Sequence, residues 1–194
     1  MKIVIVGCGR VGAMLAETYD AAGHQVVILD IATRSFGRLA STFRGNAVRG
    51  DGTDEDTLRR AGAEDADLFL ALTEGDNRNV MSAQVAAETL GAKQVIAKIN
   101  DPVRAAAYAE LGLATVCRTT LMADAINAHV GLPVSGRPTI NPSSGSHAGH
   151  AHGRTPTDRA GADLPRVDGP GDSGPGTTGP GATSRNADSE SQGA

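Results

Sequence analysis

The sequence predicts an α/β protein built on a doubly wound parallel sheet of six strands in the order 3-2-1-4-5-6. Three features lead there. Short aliphatic runs alternate with segments of helical periodicity through residues 1–131, the pattern of parallel βαβ units joined by right-handed crossovers. A glycine-rich hexamer links the first of those runs to the first helix. Apolar content then collapses: eight of the nine prolines lie beyond Val130, every Phe and Tyr lies before it, and residues 132–194 hold only five Val, Ile, Leu or Met. A segment so poor in apolar surface cannot offset its ordering entropy. The folding domain is therefore expected over 1–131, and a low-complexity, Gly/Pro/Ser-rich disordered tail over 132–194.

Each element has a local reason. Lys2–Val6 is an Ile/Val run bounded by glycine, as expected of a strand buried on both faces. Val11–Ala22 carries Leu15, Thr18 and Tyr19 at helical spacing, and Gly23 stands just past its end, where a left-handed residue closes a helix. Gln25–Asp30 reads as the second strand, Thr33–Phe43 as a helix and Asn46–Arg49 as a short third strand. Thr53 with Asp56 resembles a capping box opening a helix through Ala61. Asp67–Leu72 is the fourth strand, Asn77–Leu90 a helix stopped at Gly91, and Gln94–Lys98 the fifth strand. Pro102 suits the first turn of a helix over Val103–Leu111. Thr115–Cys117 makes the sixth strand, and Thr120–Val130 a last helix ending at Gly131. Two βαβαβ halves of this kind compose a Rossmann-like sheet, whose ligands sit outside the carboxyl ends of the strands.

Gly7-Cys8-Gly9-Arg10-Val11-Gly12 matches G-x-G-x-x-G. Context gives the match its weight: a strand precedes it, a helix follows, and Asp30 ends the next strand. Gly7 permits the tight turn, Gly9 lets a pyrophosphate approach the backbone, and Gly12 lets helix and strand pack closely. The helix N-terminus adds free N–H groups and about half a unit of positive charge for the anion. Asp30 is suited to accept from both ribose hydroxyls and to repel a 2′-phosphate, which favours NAD(H) or an adenine nucleotide over NADP. Arg10 stands inside the loop, either to meet the phosphates bidentately or to form a surface ion pair. Arg34 and Arg38, near in sequence, either soften that exclusion of a 2′-phosphate or, the preferred reading, form a solvated helix face.

The remaining candidates follow the later strands. Asp51, in Gly50-Asp51-Gly52-Thr53, is either an acceptor for an adenine amino group or a turn residue. Thr73 and Glu74 border the switch point between the two halves, with Asp76 or Asn77 as a cap for the next helix. Lys98 ends the fifth strand, as a partner for a phosphate or carboxylate or as an ordinary solvated residue. All of them fall on one edge of the sheet, the edge where ligands bind.

Composition removes several classes. No apolar run approaches the ~20 residues needed to cross a bilayer, and Lys2 is followed by only four aliphatic residues before Gly7, far short of a signal peptide. Two cysteines, Cys8 and Cys117, are too few for a disulfide framework and are expected reduced. Eighteen Lys and Arg against 22 Asp and Glu leave a net charge of −4, without the basic footprint of a nucleic-acid binder.

The set GCGRVG with Asp30, then RGDGTDEDTLRRAG, LALTEGDNRNVMSAQVA, VIAKINDP and TTLMADAI, resembles the TrkA N-terminal (RCK, or KTN) domain family over residues 1 to about 130. The resemblance implies a cytoplasmic regulatory subunit, peripheral to the inner face of the plasma membrane. It would bind NAD(H) or ATP/ADP and gate a membrane-embedded potassium transporter or channel, with no catalytic residue, no metal and no insertion into the membrane. Position by position, Gly7 to Val11 resemble the family's phosphate loop, Asp30 its ribose acid, Thr73 and Glu74 its fourth-strand site, and Lys98 the basic residue of its fifth strand. Arg10 is similar to an arginine that senses the terminal phosphate in several members. Thr120–Val130 resembles the segment that such domains exchange or pack in homodimers and higher oligomers, with Leu121, Met122, Ala125 and Ile126 as its apolar positions; these fit a helix packed on its own sheet equally well. Arg118 stands where many relatives have proline. The family usually continues into a second ligand-binding domain, in place of which this chain has its low-complexity segment. The chain is thus expected either to work beside a full-length sister TrkA-like subunit or to represent a minimal nucleotide-sensing half.

The rival reading is an NAD-dependent oxidoreductase. Such an enzyme needs a proton donor or acceptor beside the nicotinamide and a substrate-binding segment. Tyr19 and Tyr108 are each followed four places on by glycine rather than lysine, and no His ends a predicted strand. His147, His150 and His152 read as part of a polar linker rather than a metal site. Cys8 heads a helix, a setting that lowers a thiol pKa, but at this position it is expected merely to pack beside the ligand.

Overall fold

The structure is a computed structural model and describes residues 1–141. Six parallel strands, β1 (Lys2–Val6), β2 (Gln25–Asp30), β3 (Asn46–Arg49), β4 (Leu68–Ala71), β5 (Val95–Lys98) and β6 (Ala114–Val116), lie in the order β3-β2-β1-β4-β5-β6. That is the predicted sheet. Its helices are α1 (Arg10–Ala21), α2 (Glu55–Arg60), α3 (Asp76–Gln84), α4 (Pro102–Glu110) and α5 (Arg118–His129). None of them is long and apolar enough to cross a membrane.

The two-residue period of the strands divides the interior into two layers. Ile3 and Ile5 of β1 turn to one side, where they join Ile28, Leu70 and the α1 residues Ala13 and Ala16. Val4 and Val6 turn to the other, joining Leu29, Phe69, Leu58 of α2 and Val80 and Ala83 of α3. Pairing of β1 with β2 starts at Lys2 opposite Gln25, and with β4 at Ile3 opposite Leu68. This register brings the carboxyl ends of β1, β2 and β4 to one edge.

Several local expectations are corrected. Thr33–Phe43 is not an α-helix: a 3-10 segment spans Thr33–Arg38 and the chain then runs irregularly. Phe36, Leu39 and Phe43 still pack against the α1 layer, so the helical spacing marked burial, while Gly37 and the Ser/Thr content weakened the helix itself. The capping box at Thr53 and Asp56 gives way to Asp54, whose carboxylate accepts from Thr57 N at 2.9 Å. Thr53 is drawn off because its amide and hydroxyl both donate to Asp51. The helix expected to Leu90 reaches that far, but over Val85–Thr89 it widens into a π turn closed by Leu90 N on Val85 O.

Neither Asp76 nor Asn77 caps α3. Gly75 holds that position without a side-chain bond, and Asp76 instead accepts from Asn100 N at 2.9 Å, tying the loop after β4 to the loop after β5. The final helix begins two residues early, at Arg118, and buries no residue. Leu121, Met122 and Ile126 are exposed, so packing of this helix on its own sheet does not occur among the described residues.

Residues 132–141 run back against the domain. Ser135 donates from its amide and hydroxyl to Asp124, and Arg137 Nη1 donates to Pro102 O. Asn141 forms an antiparallel bridge with Thr115 of β6. The expected disordered tail beyond this point, with His147, His150 and His152, lies outside the described residues.

Candidate functional site

An open cleft of about 290 Å³ lies at the carboxyl edge, between the loops that follow β1, β2, β3 and β4. Its floor begins at the glycine hexamer, whose three glycines meet three different demands. Gly7 has φ +106°, and a Cβ there would stand 2.9 Å from the backbone of Leu72 and Thr73; only glycine fits both the angle and the space. Gly12 carries α1 so close to β1 that a Cβ would lie 2.0 Å from Gly7 O. Gly9 has nothing within 4 Å of where its Cβ would be, so its smallness serves open space rather than packing. Gly9 is also the N-cap of α1, with no side-chain bond to the first turn and no acid within it. The first-turn amides therefore point their partial positive charge at the cleft without a carboxylate to answer it.

Asp30 ends β2 and lines the cleft. Its Oδ2 accepts from Cys8 N at 2.9 Å and its Oδ1 from Ala32 N at 2.8 Å. These two bonds fasten the glycine loop to the end of β2 and fix the carboxylate. Each oxygen retains a second lone pair. The Cys8 thiol donates to Ser35 O at 3.3 Å, and burial, aided by the charge of Asp30, pushes its pKa up. Cys8 is thus a packed thiol rather than a reactive thiolate.

Arg38 corrects an expectation. It is exposed at the end of the 3-10 segment, but its Nη1 donates to Cys8 O at 3.5 Å and to Ser35 O at 3.4 Å, and the residue lines the cleft rather than a face turned away from it. The 3-10 segment that it ends, packed on the α1 layer through Phe36, brings it there, whereas the expected face assumed an α-helix continuing to Phe43.

Beyond β3, Asp51 Oδ1 accepts from Thr53 N at 2.9 Å and from its hydroxyl at 2.8 Å, bonds that hold its carboxyl below the usual range. This is the geometry of an Asx turn, and the turn lies along the cleft wall. Gly52 reaches so near β1 that a Cβ would be 2.2 Å from Val6 Cγ1, pulling the wall down onto the floor.

Across the switch point, Thr73 is fixed by a buried residue that the sequence reading passed over. Asn79 Oδ1 accepts from Thr73 N and Oγ1 at 2.8 and 2.7 Å, while Nδ2 donates to Thr73 O and Lys98 O at 2.9 and 2.8 Å. An asparagine on the inner stripe of a helix, three residues after Asp76, was the available signal. Glu74 lines the cleft, is largely exposed, and stands 3.8 Å from Lys98 Nζ. Lys98 itself is buried, and burial pushes its pKa down against the opposing pull of Glu74.

Of the residues singled out from the sequence, Gly7, Cys8, Gly9, Asp30, Asp51, Thr73 and Glu74 line the cleft. Arg10 and Val11 are exposed on the first turn of α1 and Gly12 is buried behind it; none of the three lines the cleft. Lys98 reaches the cleft only through Glu74. Arg38, Arg78 and Ser82 are among the other lining residues. Among the described residues no group of three or more His, Cys, Asp or Glu could hold a metal.

Comparison with known proteins agrees with this architecture. Residues 3–119 match the model of the TrkA-N domain. The Trk system potassium uptake protein TrkA of Streptomyces coelicolor is 48% identical over 124 residues, 64% of this chain and 56% of that protein, so the chain spans about half the length of this relative. Two solved structures share the fold at low identity. The Kef C-terminal domain of Shewanella denitrificans, in an AMP-bound form, is 23% identical with a TM-score of 0.55, over 66% of this chain and 78% of that one. The GsuK channel bound to NAD is 20% identical with a TM-score of 0.52, over 62% of this chain and 22% of that one. Sheet order, glycine loop and strand-end acid therefore come together with a match over more than half the sequence: the chain belongs to the TrkA-N domain family.

Proposed function

We propose that this chain is a nucleotide-sensing regulatory subunit of a potassium uptake system, binding NAD(H) or ATP/ADP in the cleft and passing its state to a membrane-embedded transporter. The observation that carries the proposal is the pairing of an uncapped α1 N-terminus, open above Gly9, with the fixed carboxylate of Asp30. The first is fitted to a pyrophosphate, the second to a ribose diol. Arg38 and Arg78 on the cleft wall supply fixed positive charge for phosphates, a role the exposed Arg10 performs when a ligand draws it in. The relatives support the reading further: one bears the name of a potassium uptake protein, and two structural neighbours carry AMP and NAD.

Such a subunit needs no chemistry of its own. A ligand shifts the domain only by its differential affinity for two conformations. The loop at Thr73 and Glu74 is where NAD(H) and ATP/ADP differ most in reach, and it is coupled through Asn79 to β5 and through Asp76 to Asn100. The exposed apolar residues of α5 serve a homodimer, through which the change passes to the transporter.

Calorimetric titration with NADH, NAD, ATP and ADP tests the reading. Saturable binding is expected for at least one of them, without turnover of NADH in the presence of small alcohols or acids. Asp30→Ala is expected to lose most of that affinity while keeping its circular dichroism spectrum. Undiminished affinity in the variant contradicts the assignment.

A further inference from the structure

The cleft holds one polar group that the protein's own packing leaves unused. Ser82, on the inner side of α3, is fully buried and lines the cleft, and its hydroxyl has no hydrogen-bond partner. Leaving such a group buried and unpaired costs about 1–3 kcal/mol. The fold avoids that cost one turn earlier, where Asn79, equally buried, has its carbonyl and amide both satisfied. Alanine occupies the neighbouring inner positions 83 and 86 and would fill position 82 with no polar atom to satisfy and better helix propensity. The hydroxyl is therefore unexplained by folding.

Its surroundings say what it is for. Val6 and Leu72 give this part of the cleft an apolar floor, and the Gly50–Thr53 turn closes over it because Gly52 packs directly on Val6. Phosphates belong at the α1 N-terminus and the ribose at Asp30. What remains of a nucleotide is its base, a flat apolar ring with donors and acceptors along its edge.

We propose that Ser82 is a specificity-determining residue of the cleft, its hydroxyl pairing with an edge atom of the nucleotide base held between the Gly50–Thr53 turn and α3. The proposal rests on the nucleotide reading above, and it predicts opposite signs for stability and binding.

In Ser82→Ala the melting temperature is expected to stay level or rise, because an unpaired buried hydroxyl is removed. Affinity for the best-binding nucleotide is expected to fall about three- to tenfold, the worth of one neutral hydrogen bond. Affinity for tripolyphosphate, which has no base, is expected not to change. Ser82→Cys, which keeps the shape at a slightly larger volume and offers a weak donor, should fall between the two. If Ser82→Ala binds the nucleotide as well as the unaltered chain does, while Asp30→Ala is impaired, this proposal fails and the nucleotide reading stands. An equal loss for nucleotide and tripolyphosphate also overturns it, since the effect is then not read through the base. If the unaltered chain binds none of the four nucleotides, both readings fall together.

Discussion

Gly9 and Gly12 stand three residues apart in one hexamer and are expected to fail in different ways. A methyl at Gly12 meets Gly7 O at 2.0 Å, and both partners are backbone, so the contact cannot be relieved by a rotamer change. Overpacking of this kind costs about 3 kcal/mol, and Gly12→Ala should melt well below the unaltered domain. A methyl at Gly9 meets nothing within 4 Å and its backbone is extended, a conformation alanine accepts. Gly9→Ala should therefore keep its melting temperature and lose nucleotide affinity, because the methyl occupies the approach to the α1 amides. Thermal melts beside titrations separate the two, and a Gly9→Ala chain with full affinity would remove the phosphate from this loop. The residue assignments drawn from the motif rest on such distinctions, which the hexamer as a string does not contain.

Among the elements, α5 departs furthest from what a domain helix does. It has twelve residues and buries none, whereas α1 sets Gly12, Ala13 and Ala16 into the interior. Met122 and Ile126 of the helix and Val130 at its C-cap are 60%, 58% and 58% exposed, spaced at four-residue intervals along one side. Apolar surface in that register is covered in most proteins, and a second copy of this chain is the cover we propose. The chain should sediment as a dimer and Ile126→Asp as a monomer with an unchanged melting profile at low concentration. A monomeric unaltered chain would end the proposal. The 3-10 segment at Thr33–Arg38 shows the reverse case: Phe36 packs inward as an α-helix would place it, but the backbone is 3-10 rather than α-helical, and Arg38 at its end lies at the cleft.

For the molecule as a whole, the boundary of the folded domain is the point most open to test. Composition sets it at 131, yet Ser135 bonds to Asp124 and Asn141 bridges the open edge of β6 at Thr115. A chain cut after Asn141 is expected to melt with the full-length protein, and one cut after Gly131 several degrees lower, since the bonds to Asp124 and Thr115 are worth about 1 kcal/mol each. Equal melting of the two would show that residues 132–141 add nothing. Strand positions, their order and the location of the cleft were legible beforehand, because they follow from hydrophobic period, glycine placement and the handedness of βαβ crossovers, all of which are local or general. Which residues line the cleft was legible where a motif or a strand end fixes the backbone, as at Gly7, Gly9, Asp30, Asp51, Thr73 and Glu74. Arg38, Ser82 and the Asn79 clamp on Thr73 come from residues distant in the chain, and Asp54 took the capping role because Asp51 had already engaged Thr53. Amino-acid order alone thus specified the scaffold, since repeating patterns encode it many times over. The place of Arg38 at the cleft, an unpaired hydroxyl in its lining and an uncovered helix were decided only when the strands closed into a sheet, because each depends on contacts that exist nowhere along the chain until it folds.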